Sequence, residues 1–137
     1  MASQELISLL NKQLNREVTT FLRYMLQAAA IKGAEYEVVR EMYNNEVTDE
    51  VGHAQYLANQ IVMLGGKVQL APDLTPPPAD VVQMLKRDSV EEANDVKNYT
   101  QLASMAEKEG LYALKMQMEQ QAADEDGHGR KMQRLLG

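Results

Sequence analysis

Asp49-Glu50-Val51-Gly52-His53 and Asp124-Glu125-Asp126-Gly127-His128 spell one pattern, Asp-Glu-x-Gly-His, and between them hold both histidines of the chain. The copies lie 75 residues apart, and the same offset carries Glu17 onto Glu92 and Tyr24 onto Tyr99. Each half therefore reads Glu, a Tyr seven residues on, and a Glu-x-x-His whose Glu falls 33 residues after the first. Glu fills about a tenth of the chain, so its appearance three residues before both histidines by chance has odds of roughly 1 in 100. Four carboxylates and two imidazoles, repeated in register, are the inventory that a pair of metal ions in a helical bundle requires.

Outward from these motifs the periodicity is helical. Four segments, about 3–32, 35–64, 80–109 and 111–136, carry apolar residues at steps of three and four. Ser3 and Asp80 read as N-caps, Gly33, Gly65-Gly66 and Gly110 as stops, and Pro76-Pro77-Pro78 precedes the third helix. No stretch alternates as a strand does. The turns at Gly33 and Gly110 are short, which makes each helix pair an antiparallel hairpin. The linker 65–79 stretches to at most about 50 Å, against about 45 Å for a thirty-residue helix, so it can return along the whole bundle. The expected fold is all-α, one domain over residues 1–137: a four-helix bundle of two antiparallel hairpins joined by a long crossover.

Composition narrows the chemistry. Of 137 residues none is Cys, which excludes disulfides, iron–sulfur clusters and thiolate zinc sites. A net charge of −6 argues against a nucleic-acid surface. Nine Met and no Trp suit a helical core of flexible side chains. The start, Met-Ala-Ser-Gln-Glu-Leu-Ile, shows no secretory signal, and no stretch is apolar enough to span a bilayer. A cytoplasmic protein that engages neither membrane nor nucleic acid is expected.

The inward stripes predicted by spacing are Leu6, Leu10, Leu14, Glu17, Phe21, Tyr24, Ala28 and Ile31 on the first helix, and Val39, Tyr43, Glu46, Glu50, His53, Leu57, Ile61 and Leu64 on the second. The third gives Val82, Leu85, Ser89, Glu92, Val96, Tyr99, Ala103 and Ala106, and the fourth Leu111, Leu114, Met118, Gln121, Glu125, His128, Met132 and Leu135. Glu17, Glu50, Glu92 and Glu125 fall at one depth, and each His stacks one turn after its Glu. A single Glu on such a stripe is most simply a misread face or a salt bridge. Four at one level, with no Lys or Arg on the stripes to pair them, are uncompensated buried charge unless two divalent cations cancel it. Oxygen-rich ligands with one imidazole per ion favour iron, with manganese possible.

Helper residues follow from the same geometry. Tyr24 and Tyr99 can reach a ligand carboxylate, or bond elsewhere as ordinary core tyrosines. Asp49 and Asp124 can accept the outer N–H of a histidine on a neighbouring helix, or sit solvated at the surface. Gly52 and Gly127, costly inside helices, suggest close helix approach or room beside the metals, while Gly129 has no counterpart in the repeat. A second apolar row on the first helix, Val18, Leu22, Met25 and Ala29, suggests a partner subunit or a wider internal face.

At these residues the chain resembles the ferritin-like di-iron superfamily, most closely bacterioferritin. The ligand arrangement is a known template for such bundles and is matched to it, not deduced afresh. The resemblance covers nearly the whole chain: Glu17 with Tyr24, Asp49-Glu50-x-x-His53, Glu92 after Arg87-Asp88, and Asp124-Glu125-x-x-His128. It implies Glu17 and His53 as terminal ligands of one iron, Glu92 and His128 of the other, and Glu50 and Glu125 as bridges. It also implies oxidation of Fe(II) to Fe(III) by oxygen or hydrogen peroxide for iron storage or detoxification, with two irons about 3.5–4 Å apart and Tyr24 assisting catalysis. A homo-oligomer, at least a dimer, is implied.

Two departures qualify the match. Val51 stands where bacterioferritins carry the haem-ligating Met, so no haem is expected. The chain also stops at Gly137 without the short fifth helix, which leaves a 24-subunit cage open. The alternative is a small dimeric redox enzyme such as a rubrerythrin-like peroxidase, although Ser89 stands where rubrerythrins carry an extra Glu. A structural bundle with a vestigial site is a third reading, at odds with six intact ligands.

Overall fold

In a computed structural model that describes residues 2–137, four helices follow one another: α1 (Gln4–Ala30), α2 (Glu37–Met63), α3 (Val81–Lys108) and α4 (Tyr112–Leu136). The starts of α1 and α3 are capped by side chains. Ser3 Oγ accepts from Leu6 N–H at 3.1 Å, and Asp80 Oδ2 from Gln83 N–H at 2.9 Å, each satisfying a donor left over by the first helical turn. α1 stops at Ala30 because Ile31 turns extended, and α2 opens only at Glu37, after a 3-10 turn over Ala34–Tyr36. Between α3 and α4 the chain reverses at Gly110, whose φ of 74° is left-handed and suits glycine. There Leu111 N–H reaches back to Ala106 C=O at 2.8 Å.

The backbones of α1 and α2, and of α3 and α4, approach most closely, and the two hairpins stand further apart with the side chains of the core between them. The crossover runs up α1. Asn11 binds Lys67 C=O and Gln69 N–H, Asn15 binds Gln69 C=O and Ala71 N–H, and Thr19 Oγ1 accepts from Asp73 N–H. Two extended residues span about 6.6 Å and four helical ones about 6 Å. Polar side chains at every fourth position of α1 therefore meet every second residue of the crossover. The crossover thus runs parallel to α1, and α2 and α3 point the same way. Gly66 sits where an added Cβ would lie 2.6 Å from Ile7 Cγ2, so only glycine fits the first bend.

The core is in two parts. One apolar cluster gathers Leu6, Leu10, Leu57, Ile61, Leu102 and Met118 with their neighbours, and the other Tyr24, Ile31, Met42, Tyr43, Leu85 and Met132. Between them lies a buried polar layer. On α3 the spacing-based stripe is buried at Leu85, Glu92, Tyr99, Ala103 and Ala106, but Val82 is exposed and Ser89 and Val96 only half-buried, while Val81, Asp88 and Asp95 are buried. The buried face of α3 thus extends to two acidic residues that lie off the stripe. Among the described residues no helix is long and apolar enough to cross a membrane.

Candidate metal centre

Every helix contributes to the polar layer: Glu17 from α1, Glu50 and His53 from α2, Glu92 from α3, Glu125 and His128 from α4, all buried. They form two overlapping groups, Glu17–Glu50–His53–Glu125 and Glu50–Glu92–Glu125–His128. Within each group one donor atom per residue lies within 4.8 Å of all the others. Glu50 and Glu125 belong to both.

The donor atoms have little else to bind. Glu17 Oε2, Glu92 Oε2, both oxygens of Glu50 and Glu125, and Nδ1 of both histidines are buried without a hydrogen bond. His53 Nδ1 is 3.3 Å from Glu125 Oε1 and 3.5 Å from Glu17 Oε2, yet these contacts lack hydrogen-bond alignment. His128 Nδ1 stands likewise 3.1 Å from Glu50 Oε1 and 3.4 Å from Glu125 Oε1. Groups that converge without aligning on each other are aimed at the space between them. The residues fit two cations with mixed oxygen and nitrogen ligands.

The outer ring nitrogens fix the inner ones. Asp124, on α4, lies 2.9 Å from His53 Nε2, and Asp49, on α2, 3.0 Å from His128 Nε2. A carboxylate accepts only from N–H, so each Nε2 carries a proton and Nδ1 is left as the nitrogen that faces inward, the one a cation would take once that nitrogen has lost its own proton. The two hairpins exchange this contact reciprocally.

Electrostatics records the crowding. Burial, then the Glu50 carboxylate, pushes the Glu17 carboxyl well up; burial pushes Glu50 to about 8 and, with Glu17, Glu125 to about 7. Burial opposes charge on His53, but Glu125 and Glu17 outweigh it and raise the ring to about 12; His128 is raised likewise by Glu125, Glu50 and Glu92. Without cations, then, the layer holds protons in their place.

The supporting shell is less symmetric than the repeat. Tyr24 donates its hydroxyl to Glu92 Oε1 at 2.6 Å, across the hairpins. Tyr99 does not mirror this: its buried hydroxyl has no partner, and its ring meets His53 edge-on at 6.0 Å. Glu17 Oε1 accepts instead from Gln13 Nε2 at 3.0 Å, and that amide also reaches Asp95. Asp95 is ion-paired to Arg16 at 2.7 Å, and Asp88 to Arg23 at 3.1 Å, with Tyr43 and Gln27 also donating to Asp88. Arginines therefore do reach this level, from outside the stripes. They pair the two aspartates and leave the four ligand-type glutamates without a cation.

Gly52 and Gly127 face open space, with nothing within 4 Å of an added Cβ, so no close helix approach within the chain explains them. Gly129 does have a neighbour: its Cβ would lie 3.4 Å from Glu92 Cβ, where α4 crosses α3 at the site. Glu46, also buried, has both oxygens unpaired, and burial raises its carboxyl to about 8. Sequence placed Glu46 on the stripe but gave it no role. Its position one turn before Glu50 was the available signal.

A four-helix bundle whose interior is crossed by carboxylates and imidazoles from all four helices defines a class of protein with an internal carboxylate–imidazole centre. The chain belongs to the ferritin-like domain family, whose model matches residues 7–137. A ferritin-like, diiron-carboxylate protein of Bacillus anthracis is 32% identical, with a TM-score of 0.94 and 100% of each chain covered. The dodecameric thioferritin of Bacteroides fragilis, a bacterioferritin-related protein, is 24% identical (TM-score 0.88; 97% of this chain, 84% of that one). The bacterioferritin of Mycobacterium tuberculosis is 21% identical (TM-score 0.87; 99% and 87%). No curated protein matches the chain significantly.

Proposed function

We propose that this chain is a di-iron ferroxidase that oxidises Fe(II) to Fe(III) with oxygen or hydrogen peroxide and serves iron storage or detoxification. The observation that carries the reading is the set of eight buried oxygen and nitrogen atoms of the six ligand-type residues that have no partner but each other. The Bacillus anthracis relative, matched over its whole length and described as a diiron-carboxylate protein, supports iron as the metal.

Glu17 and His53 would hold one iron, Glu92 and His128 the other, and Glu50 and Glu125, present in both groups, would hold both. Two Fe(II) held there would supply the two electrons that reduce oxygen, with two protons, to hydrogen peroxide, or hydrogen peroxide, with two protons, to two waters. The protein's part is placement. Asp124 and Asp49 keep Nδ1 of each histidine free, and the Tyr24 hydroxyl holds Glu92 by Oε1 and leaves Oε2 unpaired. The apolar clusters on either side exclude water, which strengthens each charge interaction. Met25 and Leu26 leave apolar surface on the outer side of α1, which suits assembly with further copies, as in the dodecameric relative.

The test is aerobic Fe(II) addition to metal-free protein, with oxidation rate, iron retained per chain and particle mass measured together. Oxidation well above the buffer rate with many irons held in a large particle is the expected result. Two irons per chain in a dimer, with fast peroxide turnover, would favour the small redox enzyme instead. No oxidation and no retained metal would overturn the ferroxidase reading.

A further inference from the structure

The repeat would make the two halves of the centre alike, and Glu46 breaks that likeness. It lies one turn before Glu50 on the same face of α2, is 4% exposed, and neither of its oxygens has a partner. The charged groups near enough to act on its carboxyl are His128 and Glu92 of the polar layer, Lys131 on α4 and Asp49 on its own helix. Lys131 makes no ion pair with it. Moved by the 75-residue offset, Glu46 becomes Gln121, fully buried on α4, whose amide nitrogen is unpaired and whose oxygen accepts from Gln117 Nε2 at 3.2 Å. One half thus has an extra acid where the other has a neutral amide.

The asymmetry has an electrostatic direction. Glu50 and Glu125 serve both halves and favour neither. What remains private to one half is Glu17, a single negative charge, and to the other Glu92 with Glu46, two when ionised. Because Glu46 has no hydrogen bond to lose, swinging towards a cation breaks nothing. We infer that Glu46 is an additional carboxylate for the Glu92–His128 half, able to ligate there, and that it makes the two cation positions unequal, the position on its side filling first and more tightly. The inference rests on the metal-centre reading above. Such an order suits a two-electron centre: the first ion assembles Glu50 and Glu125, and the second completes a site that is already half built.

Anaerobic titration of the metal-free protein with Co(II), read by calorimetry and by the visible absorption of bound Co(II), tests this without turnover. The wild type should show two steps at least about tenfold apart, the scale set by one nearby charge in a buried site. Glu46→Gln, which copies Gln121, should weaken the first step by about tenfold or more and merge it with the second. Gln121→Glu should strengthen the second. Crystals given less than one Co(II) per chain should show anomalous density beside Glu92 and His128. A circular dichroism melt checks folding, and if Glu46→Gln fails to fold then Gln121→Glu carries the test. Two equal steps in the wild type, unchanged steps in Glu46→Gln, or the first Co(II) beside Glu17 and His53 would overturn the inference while leaving the metal centre standing. No binding of Co(II) at all would overturn both.

Discussion

Metal-free protein should lose stability as pH rises, and a saturating divalent cation should reverse that slope. In the unfolded chain Glu titrates near 4.3 and His near 6.5. In the folded chain burial holds Glu46 and Glu50 at about 8 and Glu125 at about 7, and the Glu125 and Glu17 carboxylates hold His53 at about 12. All four values are raised, so the native state keeps protons that the unfolded chain has released. The stability these groups contribute is therefore fully present at low pH. It declines through the window from about 4.3 to about 8 for the carboxyls and from about 6.5 upward for the imidazole.

Each excess proton contributes a slope of about 1.4 kcal/mol per pH unit. Between pH 6 and 7 Glu46 and Glu50 alone set a ceiling of about 3 kcal/mol. Touching carboxylates and imidazoles share protons, which brings the expected loss to about 1–2 kcal/mol per pH unit, or a Tm fall of about 4–8 °C. Cations invert the trend because they bind the deprotonated ligands and displace those protons, so their stabilisation grows with pH. The assay is a set of circular dichroism melts of chelator-treated protein from pH 6 to 8, under nitrogen, with and without saturating Mn(II). A flat or rising Tm without metal would refute the protonated layer. Parallel slopes with and without Mn(II) would refute cation binding there.

Glu50→Ala removes a carboxylate shared by both ligand groups, so retained metal should fall below two per chain by elemental analysis, with iron-dependent oxidation lost by stopped-flow absorbance. Asp124→Asn replaces the charged partner of His53 Nε2 and should weaken Co(II) binding about 10–100-fold in calorimetry while the Tm of metal-free protein stays within a few degrees. Arg16→Ala leaves Asp95 buried without its cation; with Gln13 still donating, a loss of about 2–3 kcal/mol is expected in urea unfolding. Gly66→Ala forces a methyl to within 2.6 Å of Ile7 Cγ2 and should cost about 1–3 kcal/mol, partly restored by Ile7→Ala in the same chain.

The helices, the crossover and the meeting of the glutamates and histidines in one layer are legible because each rests on spacing along one chain. Glu-x-x-His at i, i+3 must share a helix face, and the 75-residue repeat sets four acids at one depth wherever the helices sit. What escaped depends on rotation and on contacts between segments. Asp88 and Asp95 lie off the α3 stripe, and nothing in the spacing of α3 announces that Arg16 and Arg23 of α1 will meet them. Repeat logic gave Tyr24 and Tyr99 one role, yet Gln13 occupies on Glu17 the place that Tyr24 takes on Glu92. The pairing of Asn11, Asn15 and Thr19 with the crossover was hidden for another reason: a segment without periodicity gives no register until something holds it.

Both apolar clusters draw side chains from both hairpins, and between them Asp49 to His128 and Asp124 to His53 tie α2 to α4 at the level where the cations would sit. The seam of the bundle is therefore closed by oil at either end and by coordination chemistry at its middle. Stripping the ions should loosen that middle before the ends, and amide exchange there becomes a gauge of how full the centre is.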